Sequence, residues 1–198
     1  LFTSRLGNES ISIINQKNID KSQKKSVPDI LKSIPGIDVN FAHPNGRNVN
    51  VSIRGSSDYK PGGYNNRVLI LLDGFPVLIP NSGSPDWNSL PLESIQRIEV
   101  NKKAASTQYG HNSMGGVINL LTNVSSSNNN TTLRLLSGSH SLYQSSIKYN
   151  KMKNNFDYGI NMMIRTSSGH RFNADDRVQR LRTFLRYSDK NGRNYNLS

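Results

Sequence analysis

Four histidines, His43, His111, His140 and His170, are the side chains best able to hold a metal ion, yet none stands at metal-ligand spacing from another. The chain has no cysteine, which rules out thiolate ligands and disulfides alike. Ser22-Gln23-Lys24-Lys25 sets a serine three residues ahead of a lysine, a partial outline of an acyl-transfer pair, but none of the companion motifs follows. Asp73-Gly74 would open a calcium loop only if an acidic series came after it, and none does. The expectation is a protein that is not an enzyme and carries no cofactor or resident metal. The chemistry left is recognition. Arg47, Tyr59, Tyr64, Asn81 and Trp87 sit in turn-rich stretches, and an aromatic ring there offers flat apolar contact with a polar edge.

Net charge is +12, which invites a nucleic-acid reading. The distribution argues against it. Residues 1–124 hold 13 Lys/Arg and 9 Asp/Glu, a balance of +4, and residues 125–198 hold 12 and 4, a balance of +8. Arg180, Arg182 and Arg186 fall at even offsets and so share one face of a strand, without a compact basic patch interleaved with aromatics. No nucleic-acid partner is expected. Hydrophobic residues make up 34% of the chain, and no run approaches the ~18 apolar residues of a membrane helix. Barrel strands alternate apolar and polar residues and keep mean hydropathy low, so a membrane role through strands stays open. Leu1 is not followed by the basic start and apolar core of a signal peptide, and Arg193 to Ser198 stop within what reads as a strand. A fragment at both ends is expected.

The elements that must position these side chains fall into two blocks. In the first, Ile11 to Ile14 read as an edge strand and Gln16 to Lys25 as a short helix. Ser26, with Asp29 three residues on and Pro28 in the first turn, predicts a capped helix whose Ile30, Leu31 and Ile34 share a face. Pro35-Gly36 ends it. Short strands follow at Ile37–Val39 and over Val49, Val51 and Ile53. Val68 to Leu72 is continuously apolar, the mark of a strand covered on both sides. Asp73-Gly74 reads as a tight turn, and Pro91 to Ser94 as one helical turn. The stretch Ser94 to Thr122 reads as strand, polar turn, glycine loop, strand. Ile95, Ile98 and Val100 are apolar, Tyr109-Gly110 and Gly115-Gly116 punctuate the backbone, and Val117 to Leu121 is β-prone.

The Ser/Asn tract over 125–130 reads as a linker. Beyond it, Leu133 and Leu135 flank Arg134, and Tyr143, Ile147 and Tyr149 share a face that Ser145 interrupts. Phe156, Tyr158, Ile160, Met162 and Ile164 fill every second position of a long strand; Asp157, Gly159, Asn161 and Arg165 fill the other face, with Met163 the exception. Leu181, Thr183, Leu185 and Tyr187 alternate likewise, and Lys151 to Asn154 reads as a turn. Such strands fit a membrane barrel with one lipid face and one wet face. They also fit a soluble β-meander with one buried face.

Ile53-Arg54-Gly55, then Leu71-Leu72-Asp73-Gly74-Phe75-Pro76, then Ile98-Glu99-Val100 leading into Gly115-Gly116-Val117-Ile118-Asn119, stand in an order and spacing that resembles the plug of TonB-dependent outer-membrane receptors. The segment Asp29 to Ile37 is similar to that family's early helix and its Pro-Gly exit. The resemblance implies a small mixed α+β plug over 1–124, a linker over 125–130, and the opening antiparallel strands of a transmembrane β-barrel over 131–198. Gly55, Gly74, Gly110, Gly115 and Gly116 match its backbone glycines. By the same resemblance Arg54 and Lys102, with Glu99 in the same charged layer, would pair the plug with carboxylates on the barrel wall. Where the family has Arg-Gly-Pro this chain has Lys102-Lys103-Ala104, which keeps the charge and loses the bidentate fork. The plainer alternative for Arg54 is a turn cap.

Loops 42–48, 56–66 and 77–88 match the family's substrate-facing apices, which would put Arg47, Tyr59, Tyr64, Asn81 and Trp87 against a small-molecule cargo. The implied function is active import of a scarce nutrient across the outer membrane of a Gram-negative bacterium. A ferric siderophore leads, with cobalamin, haem or glycan open. TonB, with ExbB and ExbD, would supply the energy, outer-membrane lipid would surround the barrel, and the plug would sit in the lumen with its N-terminus in the periplasm. A soluble periplasmic binding or adhesion module without a pore is the reading from another class.

Overall fold

The computed structural model describes residues 2–6, 9–22, 24–41, 49–56, 67–80, 82–87, 89–122, 129–169, 172–189 and 194–197. The chain parts into two compact units, Leu1–Val124 and Ser125–Ser198.

The first unit opens with β1 (Phe2–Leu6) and β2 (Glu9–Asn15), which pair antiparallel. β2 was expected at an edge, but the hairpin with β1 places it inside the sheet. Helix α1 (Gln16–Lys21) follows, then α2 (Val27–Leu31). At the start of α2 the Ser26 hydroxyl accepts from the Asp29 N–H at 3.4 Å and donates to its carboxylate at 2.7 Å, a reciprocal cap that fixes where the helix begins. Ile30, Leu31 and Ile34 are buried, each worth about 1.5–3 kcal/mol of removed apolar surface.

After Gly36 the chain enters β3 (Ile37–Phe41), which pairs with β4 (Val49–Ile53) as a separate two-stranded sheet. β5 (Val68–Leu72) turns through Asp73-Gly74 into β6 (Phe75–Pro76). β7 (Arg97–Asn101), the single turn α3 (Ser106–Tyr109) and β8 (Gly116–Leu121) complete the unit. The six-stranded sheet runs β1-β2-β7-β8-β5-β6, with β5 and β8 parallel. That pairing explains the unbroken apolar run of β5. Val68 and Ile70 enter the main core, while Leu69 and Leu71 pack with Ala105 and Val117 on the other side. The turn α3 stands where a polar turn was predicted; none of its residues is buried, so it leaves no apolar period to read.

The second unit is five antiparallel strands: β9 (Asn130–Gly138), β10 (Leu142–Lys153), β11 (Phe156–Ser167), β12 (Asp176–Ser188) and β13 (Asn194–Leu197), each beside its neighbour in sequence. β9 starts at Asn130, the last residue of the expected linker. β10 runs on through Lys153, opposite Phe156, so the turn is Asn154-Asn155 rather than Lys151 to Asn154. Asn154 takes a left-handed φ of 55°, which asparagine tolerates.

Burial in this sheet is reversed from a soluble meander. Leu133, Leu135, Ile147, Ile160, Met162, Ile164, Leu181 and Leu185 are exposed, Leu135 by 72%. Ser146, Lys148 and Asn161, on the opposite face, are buried, Lys148 to 8% exposure. A meander folded in water hides its apolar face; this one presents it.

Candidate functional site

Arg54 and Lys102 meet at the Pro35-Gly36 turn. Arg54 follows the last residue of β4 with a left-handed φ of 51°. Its N–H donates to the Gly36 carbonyl at 2.8 Å, and its stem passes over Gly36, where an added Cβ would lie 3.8 Å from Arg54 Cγ. Lys102 is buried just past β7, and its ammonium donates to the Pro35 carbonyl at 2.7 Å. Two cations thus share one turn. Burial, and then the Arg54 guanidinium, push the Lys102 pKa below the ordinary lysine value of 10.5. One ammonium N–H is taken by the Pro35 carbonyl.

The lowered pKa has a testable sign. In the window just under 10.5 the unfolded chain binds more protons at Lys102 than the folded one, so stability rises as pH climbs through it. Urea unfolding from neutral pH to 10.5 should show that rise in the native chain, and Lys102→Met should flatten it.

Glu99 does not join this pair. It stands with Arg97, 2.5 Å away, on the face of β7 opposite the core residues Ile98 and Val100. Trp87, expected against a cargo, is buried, and its indole N–H donates 3.1 Å to the Val49 carbonyl of β4. Arg47, Tyr59, Tyr64 and Asn81 lie outside the described residues, as do His43 and His170. Gly55, Gly74 and Gly110 occupy turns, whereas Gly115 and Gly116 sit where chains pass too closely for a side chain.

Sequence reasoning missed the second role of Asp73. It is not only a turn former: its carboxylate accepts from the Thr122 N–H at 2.8 Å and the Thr122 hydroxyl at 2.6 Å, and its own N–H donates to the Leu120 carbonyl at 2.8 Å. The turn after β5 is thereby stapled to the end of β8. The signal was an aspartate before glycine and a hydroxyl residue just past a strand 49 positions on, too common to read alone. Asp73→Ala should lower stability by about 2–4 kcal/mol through lost charge-assisted bonds and strain at a positive φ. Asp73→Asn should lose less than half of that, as urea unfolding would read.

The apolar face of the second unit is bounded by aromatics. At one end Phe156, Tyr187 and Tyr195 stand opposite one another on β11, β12 and β13, with ring centroids 4.9 and 6.3 Å apart. At the other end Tyr143 stands opposite Thr166. Phe156 to Thr166 spans about 34 Å along the strand at ~3.4 Å per residue. Tilted by 35–45°, that is a band about 24–28 Å tall, the height of a lipid-facing barrel belt.

The family model for the TonB-dependent Receptor Plug Domain matches residues 5–117, more than half of the chain. The chain belongs to the TonB-dependent receptor plug-domain family. The chain is similar to the vitamin B12 transporter BtuB of Vibrio vulnificus (strain CMCP6), 35% identical over 132 residues that cover 66% of this chain and 20% of that protein. A BtuB of Vibrio cholerae serotype O1 (strain M66-2) is 30% identical over 123 residues, 62% of this chain and 19% of that one. The chain therefore spans about a fifth of these relatives. Among solved structures, the ferric yersiniabactin uptake receptor FyuA of Yersinia pestis superposes with a TM-score of 0.73 at 18% identity, over 93% of this chain and 30% of that one. FpvA of P. aeruginosa, bound to heterologous pyoverdines, gives 0.74 at 22%, over 93% and 24%. Plug and antiparallel strands thus share the fold of TonB-dependent receptors.

Proposed function

We propose that this chain is the plug and opening barrel strands of an energy-coupled importer in the outer membrane of a Gram-negative bacterium. The observation that carries the reading is the exposed, aromatic-bounded apolar face of β9–β13 in the same chain as a plug domain. TonB, with ExbB and ExbD, drives the transport, and no covalent chemistry takes part. The soluble-module alternative would leave Leu133, Leu135, Leu181 and Leu185 in water, each more than 40% exposed.

A ferric siderophore is the favoured cargo. The polar face of β9–β12 carries Arg134, Lys148, Arg165, Arg180, Arg182 and Arg186 against Asp157 and Asp176. A wall of that sign favours an anionic chelate. Cobalamin is the second reading, favoured by the relatives named as vitamin B12 transporters.

In this reading Arg54 and Lys102 engage carboxylates of the barrel wall and hold the plug by wetted ion pairs that transport can loosen. Arg54→Glu in the intact receptor should lower uptake of a labelled ferric chelate about tenfold or more, the loss of one charge-assisted contact with repulsion added. Arg54→Lys should keep most of it. Unchanged uptake by Arg54→Glu at equal receptor level would remove the assignment. Labelled cobalamin taken up in place of the chelate would exchange the first cargo for the second.

A further inference from the structure

The interruption at Ser145 lies in the outward row Leu135, Ser145, Ile164, Gln179, one row inside the rim formed by Ser137, Tyr143, Thr166 and Arg177. On either side along β10 the same face carries Tyr143 and Ile147. A serine among such neighbours leaves a notch, and the structure has one there: an open groove of about 400 Å³, walled by Leu135, Ser137, Tyr143, Ser145, Ile164 and Thr166. Its walls are mostly apolar, and it is continuous with the lipid-facing belt.

Arg177 is exposed at the same rim, opposite Thr166 on the neighbouring strand. Among the described residues no side chain pairs with it. A planar guanidinium beside an apolar slot is matched by a phosphate above a hydrocarbon chain. This rim bears the three- and eight-residue connections 139–141 and 168–175, while the other rim bears the two- and five-residue connections 154–155 and 189–193, so the longest connection lies here and the shortest there. Outer-membrane barrels keep short turns inside and longer loops outside, which makes this the outer rim. The outer leaflet there is a phosphorylated, multiply acylated glycolipid.

We propose that the Ser145 groove seats one acyl chain of that glycolipid, with Arg177 holding its phosphate. The inference rests on the barrel reading above. It gives the receptor a fixed lipid on its outer surface, beside the β9–β10 and β11–β12 connections. Those connections are already tied together: the His140 carbonyl accepts from the Ser168 N–H and hydroxyl, both at 2.9 Å.

The test uses the full-length receptor in mild detergent, with bound lipid counted by native mass spectrometry. The probes are the hexa-acylated bisphosphorylated glycolipid, its dephosphorylated form and phosphatidylethanolamine. Ser145→Phe should lower retention of the first about tenfold, since excluding about two methylenes is enough. Ser145→Ala should retain it. Arg177→Gln should lower it about fivefold, and that variant should no longer distinguish the dephosphorylated form. Heat-modifiable mobility confirms a folded barrel in each case, and Arg177→Gln, at an exposed site, keeps the test open if Ser145→Phe does not fold. Equal retention by native chain and Arg177→Gln, or equal retention of phosphatidylethanolamine, overturns the proposal. A receptor extracted without detergent would instead sink the barrel reading itself.

Discussion

Gly116→Ala is expected to destabilise the plug by about 3–5 kcal/mol, a large share of a typical domain's stability. Two faults add. Gly116 has a φ of 137°, where an L side chain is strained. Its added Cβ would stand 2.5 Å from the Asn101 carbonyl oxygen and 2.8 Å from Ile53 Cδ1. Neither neighbour can withdraw cheaply. Asn101 is fixed in the β7 ladder opposite Val117, and Ile53 is buried at the end of β4. Gly115→Ala should be milder, because its φ is ordinary and its nearest obstacle is the Ser56 hydroxyl at 2.9 Å. Urea unfolding of the two variants should keep that order. A loss below about 1 kcal/mol for Gly116→Ala would mean that β7 and β4 yield as a body, and the close approach would not be the reason for glycine.

The same two strands show what could be read from the chain and what could not. Ser26 before Asp29, the apolar run of β5 and the alternation of β11 are local signals, written within a few residues of the structure they produce. Each element formed where its pattern stood. The cation pair was different. Arg54 and Lys102 are 48 positions apart, and only the resemblance suggested a common layer. They share a site because Arg54 leaves β4 and Lys102 leaves β7 toward one Pro-Gly turn, a long-range coincidence that no period encodes. Glu99 stands apart from that pair for the complementary reason. Strand parity sends it away from Ile98 and Val100, and Arg97, two residues back, claims it first. The reversal of burial in the second unit was legible only as an alternation. Which face would be hidden depends on what surrounds the sheet, and sequence period is silent on that.

Trp87 is the sharpest case, since an isolated aromatic in a polar loop has the appearance of a binding residue. The loop carries it back onto β4, where burial to 6% exposure and the bond to the Val49 carbonyl hold it. Trp87→Ala should therefore cost about 3–5 kcal/mol of plug stability through the cavity it leaves, with the indole hydrogen bond to Val49 lost as well. Trp87→Phe keeps most of the apolar volume and loses the N–H donor, so its loss should be about 1–2 kcal/mol. The two variants also separate a core role from a cargo-binding one. A core tryptophan predicts that Trp87→Phe lowers the urea midpoint while the half-saturating concentration for uptake stays within about twofold, too little to represent a lost ring contact. A cargo-facing tryptophan predicts the reverse, unchanged unfolding with weakened uptake affinity. The second outcome would require the loop to release the ring from Val49 in the working receptor, and amide exchange across β4 would then report that opening directly.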